Sequence, residues 1–362
     1  MQTVPATRQH FPALDGLRGL AILLVVVYHN FGFIPYFFFG WLGVDLFFVL
    51  SGFLITDILM KSLGQPGYLK NFYIRRVLRI FPLYYLSLIL FLFLIPLFTD
   101  RLDIGYYREN QAWLWLYLQN WLYIFNDPAS HNTLNHFWSL AVEEQFYLLW
   151  PWIILLLKKP GRLLLLLGLL LLAVIGLRLW IWNHQVADLA YFNLYTFTRI
   201  DGICVGSMVA LLRISRPAFL DNQMPYIVGG FALLNFVFYF INRQYQYSYP
   251  YLALAGYSTF AMVFGLLVHE AVSGENKLIS RLFSWSPLRF FGRISYGFYI
   301  FHWPVHLLVV PAITPLLSAA VSGRTLSLVA ALVSTLIAVL VSWLSLRYIE
   351  SYFLRLKKGF GG

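Results

Sequence analysis

The chain has 362 residues, 60% of them hydrophobic and only 11% charged, with a mean hydropathy of +0.70. Those values exclude a soluble domain with a polar surface and read as an all-α integral membrane protein. The net charge of +11 does not make it a nucleic-acid binder, because its 26 basic residues fall in short segments between apolar runs and not on one amphipathic surface.

Runs of about 20 apolar residues are long enough to cross a bilayer as helices. Ten are predicted, at 14–34, 40–60, 80–98, 136–157, 162–182, 191–212, 224–241, 251–270, 290–311 and 325–346. With the N-terminus inside, 19 basic residues fall in cytoplasmic segments, from Arg8 to Lys358, and only four outside, Arg101, Arg108, Arg243 and Arg324. The positive-inside rule therefore places both termini in the cytoplasm. The single cysteine, Cys204, excludes an intrachain disulfide framework.

The first run holds Asp15, Arg18 and His29 with no small-residue cleavage site after it, so it reads as a retained span and not a signal peptide. Eleven residues separate Arg18 from His29, which puts both on one helix stripe roughly 16 Å apart. Ionisable groups inside a span normally line a polar cavity or a substrate path, and imidazole is suited to moving a proton near neutral pH. The plainer reading pairs Asp15 with Arg18 near the inner membrane edge and leaves His29 as an interfacial residue.

In the second run, Gly43, Ser51 and Gly52 suit close helix contacts, and Asp45 has no evident partner. Residues 69–79 alternate apolar and basic positions, as in an amphipathic helix lying at the inner interface. Its Arg75, Arg76 and Arg79 suit phosphate binding or simple anchoring on anionic lipid. The aromatic stretch 111–125 is too short for a span and reads as an outer interfacial or re-entrant segment.

The fourth run carries Ser139 and two adjacent carboxylates, Glu143 and Glu144, neither of which is cheap to bury alone. A carboxylate beside a histidine makes a plausible general-base unit; a salt bridge to Arg199 is the competing use. Arg199 and Asp201, two residues apart in the sixth run, face different sides of a helix and need separate partners. The ninth run places Tyr299 and His302 ahead of Pro304. No cluster with metal-ligand spacing, P-loop or GxSxG elbow appears, and no internal repeat suggests a transporter's inverted halves.

Several segments in order closely resemble the membrane acyltransferase 3 family: Leu14-Asp-Gly-Leu-Arg-Gly-Leu-Ala-Ile through Val27-Tyr-His29, Gly43-Val-Asp-Leu-Phe-Phe-Val-Leu-Ser-Gly-Phe-Leu-Ile55, Arg75-Arg-Val-Leu-Arg-Ile-Phe-Pro82, Trp138-Ser-Leu-Ala-Val-Glu-Glu-Gln-Phe-Tyr147, Arg199-Ile-Asp-Gly202 and Ile294-Ser-Tyr-Gly-Phe-Tyr-Ile-Phe-His302. The resemblance implies transfer of an acyl group, most often acetyl from cytoplasmic acetyl-CoA, to a hydroxyl of a surface or lipid-linked polysaccharide at the outer face of the bacterial inner membrane. It implies His29 as the catalytic histidine with Arg18 as its partner, Arg76 and Arg79 beside Arg75 as the CoA-phosphate site, and Glu143 as the motif carboxylate. Asp15, Asp45, Ser139, Glu144, Arg199, Asp201, Tyr299 and His302 are expected to line the substrate tunnel. Many relatives carry an extra periplasmic domain after the last span; here the chain ends at Gly362, so 1–362 is expected to form one membrane domain.

In this reading CoA phosphates stay at the basic inner face while the arm enters a dry tunnel past Arg18 toward His29, oriented by Glu143. His29 serves either as general base or as an acyl relay. A polytopic transporter or flippase of a sugar or anionic metabolite, or an enzyme acylating a small molecule, would also account for buried charges among many spans. No metal is expected, and the partners are acyl-CoA, a glycan and membrane lipids.

Overall fold

The computed structural model describes residues 11–102, 104–126, 133–184, 195–242, 256–274 and 276–360. Arg8 and Arg243 of the charge count lie outside the described residues, as do the starts of the predicted 191–212 and 251–270 runs.

Among the described residues the secondary structure is helical throughout, and seven helices are long and apolar enough to cross a membrane. The protein is an all-α, multi-pass membrane protein. α1 (Pro12–Asn30) opens on a proline whose fixed φ suits a first helical turn. α2 (Leu42–Ser62) follows a 3-10 turn, and α3 (Tyr68–Ile89) begins after Gly67, whose φ of +74° favours glycine. Three short helices, α4 (Gly105–Glu109), α5 (Gln111–Trp115) and α6 (Gln119–Phe125), precede α7 (Trp138–Leu157) and α8 (Pro160–Asn183). After α9 (Thr196–Arg199) come α10 (Asp201–Ser215), α11 (Pro217–Asn222), α12 (Met224–Asn242), α13 (Tyr257–Ser273) and α14 (Lys277–Phe283). The chain closes with α15 (Ser286–Leu317), α16 (Gly323–Ser345) and α17 (Ser351–Leu356).

Two expectations change. The 69–79 segment does not form a separate interfacial helix: it is the first half of a continuous helical stretch from Tyr68 to Leu97, because Pro82 is accommodated within the helix. The expected span at 224–241 coincides with α12, Met224–Asn242, and the described part of the 251–270 run lies in α13, Tyr257–Ser273. At 191–212 the helix breaks at Ile200, between Arg199 and Asp201, so that each can reach its own partner.

The 111–125 segment forms no long helix, as its length implies, and is tied down by polar contacts. Tyr84 and Tyr85 of α3 donate to the Leu114 and Trp115 carbonyls at 2.7 and 3.2 Å, and buried Gln119 donates to the Phe137 carbonyl at 2.8 Å. Away from water, each such carbonyl needs a donor from within the protein.

α1 is the central helix, packed between α2 and α15. Its contact with α15 is so close that a Cβ on Gly19 would overlap the Leu288 carbonyl, and one on Gly292 the Asp15 carbonyl. Gly52 and Gly206 give α2 and α10 a similar approach. Helices in lipid gain association energy from such backbone proximity, since no hydrophobic drive separates them from acyl chains. Outward-facing Leu156, Leu172 and Leu336 are 77, 68 and 66% exposed, forming an apolar surface suited to lipid.

Candidate active site

A cavity of about 350 Å³ opens among α1, α2, α3, α7 and α15. α1 contributes Asp15 and Arg18, α2 Ser51, α3 Arg76 and Arg79, α7 Ser139, Glu143 and Glu144, and α15 Tyr296 and Tyr299; Lys357 joins them from the C-terminal end. Asp15 and Arg18 are a local pair, with Nη1 to Oδ1 at 3.4 Å. Arg79 makes no hydrogen bond or ion pair among the described residues, so its guanidinium is available to an anion in the cavity. Arg76 lies over the Tyr147 ring, 3.8 Å from its centroid, a cation–π contact that fixes the guanidinium plane.

Each oxygen of Glu143 accepts one hydrogen bond. Ser51 donates to Oε1 and the Tyr147 hydroxyl to Oε2, each at 2.9 Å. Glu144, one residue on, has a buried Oε1 with no hydrogen-bond partner.

At the far wall Ser139 and Tyr299 are in contact, hydroxyl to hydroxyl at 2.6 Å, and the Tyr299 hydroxyl also donates to the His136 carbonyl at 2.6 Å. A histidine cluster lies behind that wall. The His136 and His302 rings are 5.1 Å apart, and those of His302 and His29 5.0 Å. His29 Nδ1 lies 3.0 Å from the Val25 carbonyl and 3.3 Å from His302 Nε2. Among the described residues no group of three or more His, Cys, Asp or Glu is placed to hold a metal.

The geometry thus gathers cations around carboxylates at one end of α1 and imidazoles at the other, with a hydroxyl pair between them. The sequence model described as an acyltransferase domain matches residues 11–347. The chain belongs to the acyltransferase 3 family. The acyltransferase 3 chain is 31% identical over 331 residues to the peptidoglycan O-acetyltransferase OatA of Listeria monocytogenes, covering 86% of this chain and 52% of that protein. It is also 31% identical over 320 residues to YrhL of Bacillus subtilis, a candidate peptidoglycan O-acetyltransferase, covering 84% of this chain and 50% of that one. The chain therefore spans about half the length of these curated relatives. No solved structure matches it.

Against this acyltransferase frame, the expected site residues divide into groups. Asp15, Arg18, Arg76, Arg79, Ser139, Glu143, Glu144 and Tyr299 share the cavity. His29 and His302 stand together, one layer beyond it. Arg75 is not among the residues that line the cavity.

Glu143 does not orient His29, contrary to the expectation from sequence: Glu143 lines the cavity and accepts from Ser51 and Tyr147, whereas His29 lies beyond the cavity and turns to Val25 and His302. Nor does Arg199 pair with Glu143 or Glu144. Arg199 binds Asp45 at 2.7 Å, and Asp201 binds Arg178 at 2.9 Å with Ser258 donating at 2.7 Å. These pairs are buried away from the cavity and join α2 to α9 and α8 to α10 and α13, so Asp45, Arg199 and Asp201 do not line it.

Ser51, Tyr147 and His136 are parts of the site that sequence position alone does not mark. Ser51 reads as a small packing residue. For Tyr147 a signal exists, because it follows Glu143 by four residues and so shares its helix face.

Proposed function

We propose that this protein transfers an acetyl group from acetyl-CoA, bound on the cytoplasmic side, to a hydroxyl of a cell-surface polysaccharide at the outer face of the cytoplasmic membrane, with peptidoglycan the favoured acceptor. The acceptor follows from what the relatives' names say of those proteins. The donor rests on one observation, the grouping of Arg18 of α1 with Arg76 and Arg79 of α3 in a single cavity, at the end of α1 opposite His29. Guanidinium groups hold phosphates through charge-assisted, often bidentate hydrogen bonds. An unpartnered Arg79 fits that use. Both termini lie in the cytoplasm in this reading, which puts the arginine end of α1 inside and His29 toward the outside.

The chemistry assigned to the chain is direct transfer with His29 as general base. His29 takes the proton of the acceptor hydroxyl as its oxygen bonds to the thioester carbonyl carbon. The carbon–sulfur bond then breaks, and the departing thiolate takes the proton back from the imidazolium, leaving CoA thiol and the acetyl ester. For the thioester to meet His29, the Ser139–Tyr299 hydroxyl contact must part or the acetyl end must pass beside it. A wall of this kind keeps water from the thioester until the acceptor is present.

The test is reconstitution of the full-length protein in liposomes with radiolabelled acetyl-CoA inside and a muropeptide or glycan-strand acceptor outside. Label in ester linkage on the acceptor, released by mild base, is the expected result. CoA release without acceptor ester, or acceptor flux without CoA release, would contradict the proposal.

A further inference from the structure

His302 is a fully buried imidazole whose Nδ1 lies 2.8 Å from the Tyr299 carbonyl and 3.1 Å from the Phe298 carbonyl. A carbonyl oxygen only accepts, so both contacts require a proton on Nδ1. In the neutral ring the remaining nitrogen, Nε2, then holds a lone pair. That nitrogen lies 3.3 Å from His29 Nδ1, which also lies 3.0 Å from the Val25 carbonyl. His29 Nδ1 is thus surrounded by two acceptors and no donor. The proton must sit there, shared between Val25 and His302, and the lone pair of His29 must be on Nε2.

We infer that His302 is a positioning residue that fixes His29 in the Nδ1-protonated tautomer, leaving Nε2 as the basic nitrogen, and supports the imidazolium formed during transfer. The inference rests on the reading of His29 as general base. It assigns to His302 the part that an orienting acceptor plays behind a catalytic histidine, where the wrong tautomer disables the base. His302 touches neither donor nor acceptor in this role. Its own orientation comes from helix geometry, because a side chain on α15 naturally reaches the carbonyls three and four residues before it. The close seam of Gly19 and Gly292 then brings α1 near enough for the two rings to meet.

The first test needs no variant: ¹⁵N NMR of histidine-labelled full-length protein in nanodiscs, with His29 assigned by its loss in His29→Ala. A protonated Nδ1 and an unprotonated Nε2 are expected, and the opposite tautomer overturns the inference. Kinetics supply the second test. His302→Phe should lower kcat about a hundredfold, within the usual range for general-base assistance, with the KM for acetyl-CoA unchanged. His302→Gln restores an acceptor and should recover kcat to within about tenfold of the original. A His302→Phe protein that binds acetyl-CoA normally and turns over at the original kcat overturns the inference while His29 stays essential. Full activity of His29→Ala instead removes the general-base reading itself.

Discussion

Ser51 on α2 donates to Glu143 Oε1 on α7 at 2.9 Å, and this contact decides which half of the site the glutamate serves. The carboxylate belongs to the arginine end, where its second oxygen holds the Tyr147 hydroxyl and Tyr147 in turn carries Arg76. A carboxylate accepts from both hydroxyls, whereas an amide in its place must turn a donor toward one of them. Glu143→Gln should therefore unseat Tyr147 and with it Arg76. We expect the KM for acetyl-CoA to rise about tenfold, the equivalent of about 1.4 kcal/mol, with kcat reduced far less. Steady-state kinetics check this, and a fall in kcat at constant KM would return Glu143 to the histidine.

Arg79 faces the cavity and makes no hydrogen bond or ion pair among the described residues. Arg79→Ala should weaken acetyl-CoA binding by about ten- to a hundredfold, in line with about 1.5–3 kcal/mol for a hydrogen bond to a charged group. Arg79→Lys should recover part of that as a point charge without the planar fork. Calorimetric titration of detergent-solubilised protein with acetyl-CoA measures both.

Asp45 and Arg199, 2.7 Å apart and both buried, are a structural pair with no place in the cavity. Asp45→Ala leaves a buried guanidinium uncompensated and should cost about 3–5 kcal/mol of stability. The double change Asp45→Leu with Arg199→Met should recover most of it, since apolar replacement of a buried ion pair is often neutral. Chemical unfolding in detergent distinguishes the two, and acetyl-CoA binding by the double variant should stay within about twofold of the original if the pair only braces the helices.

Gly292 allows α15 to rest against the Asp15 carbonyl of α1. Gly292→Val should separate the helices and destabilise the protein by about 1–3 kcal/mol or more, as overpacking does. Because the same seam sets the His29–His302 distance, kcat should fall as well. Unaltered stability of this variant would show that the two backbones are not held in that contact.

Much of the architecture is legible from hydropathy, because a span is a long local signal. Helices failed to match expectation where tertiary partners intervene. The arginine-rich start of α3 looks amphipathic, yet Arg76 and Arg79 turn into a cavity whose other walls lie far along the chain. The placement of Arg18 and His29 on one helix was readable from their eleven-residue spacing. What spacing does not carry is which distant group each one meets. Glu143 found Ser51 at a separation of 92 residues, and His29 found His302 at 273. Such pairings depend on where glycines let the helices approach, which is a property of two faces together.

The central claim is that His29 carries the proton in acetyl transfer while the arginine cavity holds the donor. The most direct measurement is acetyl-CoA-dependent ester formation on a glycan acceptor by full-length His29→Ala protein in liposomes, alongside its acetyl-CoA binding. The account predicts loss of transfer by at least a hundredfold with donor affinity within about twofold of the original. Transfer at the original rate by a variant that binds acetyl-CoA would contradict it.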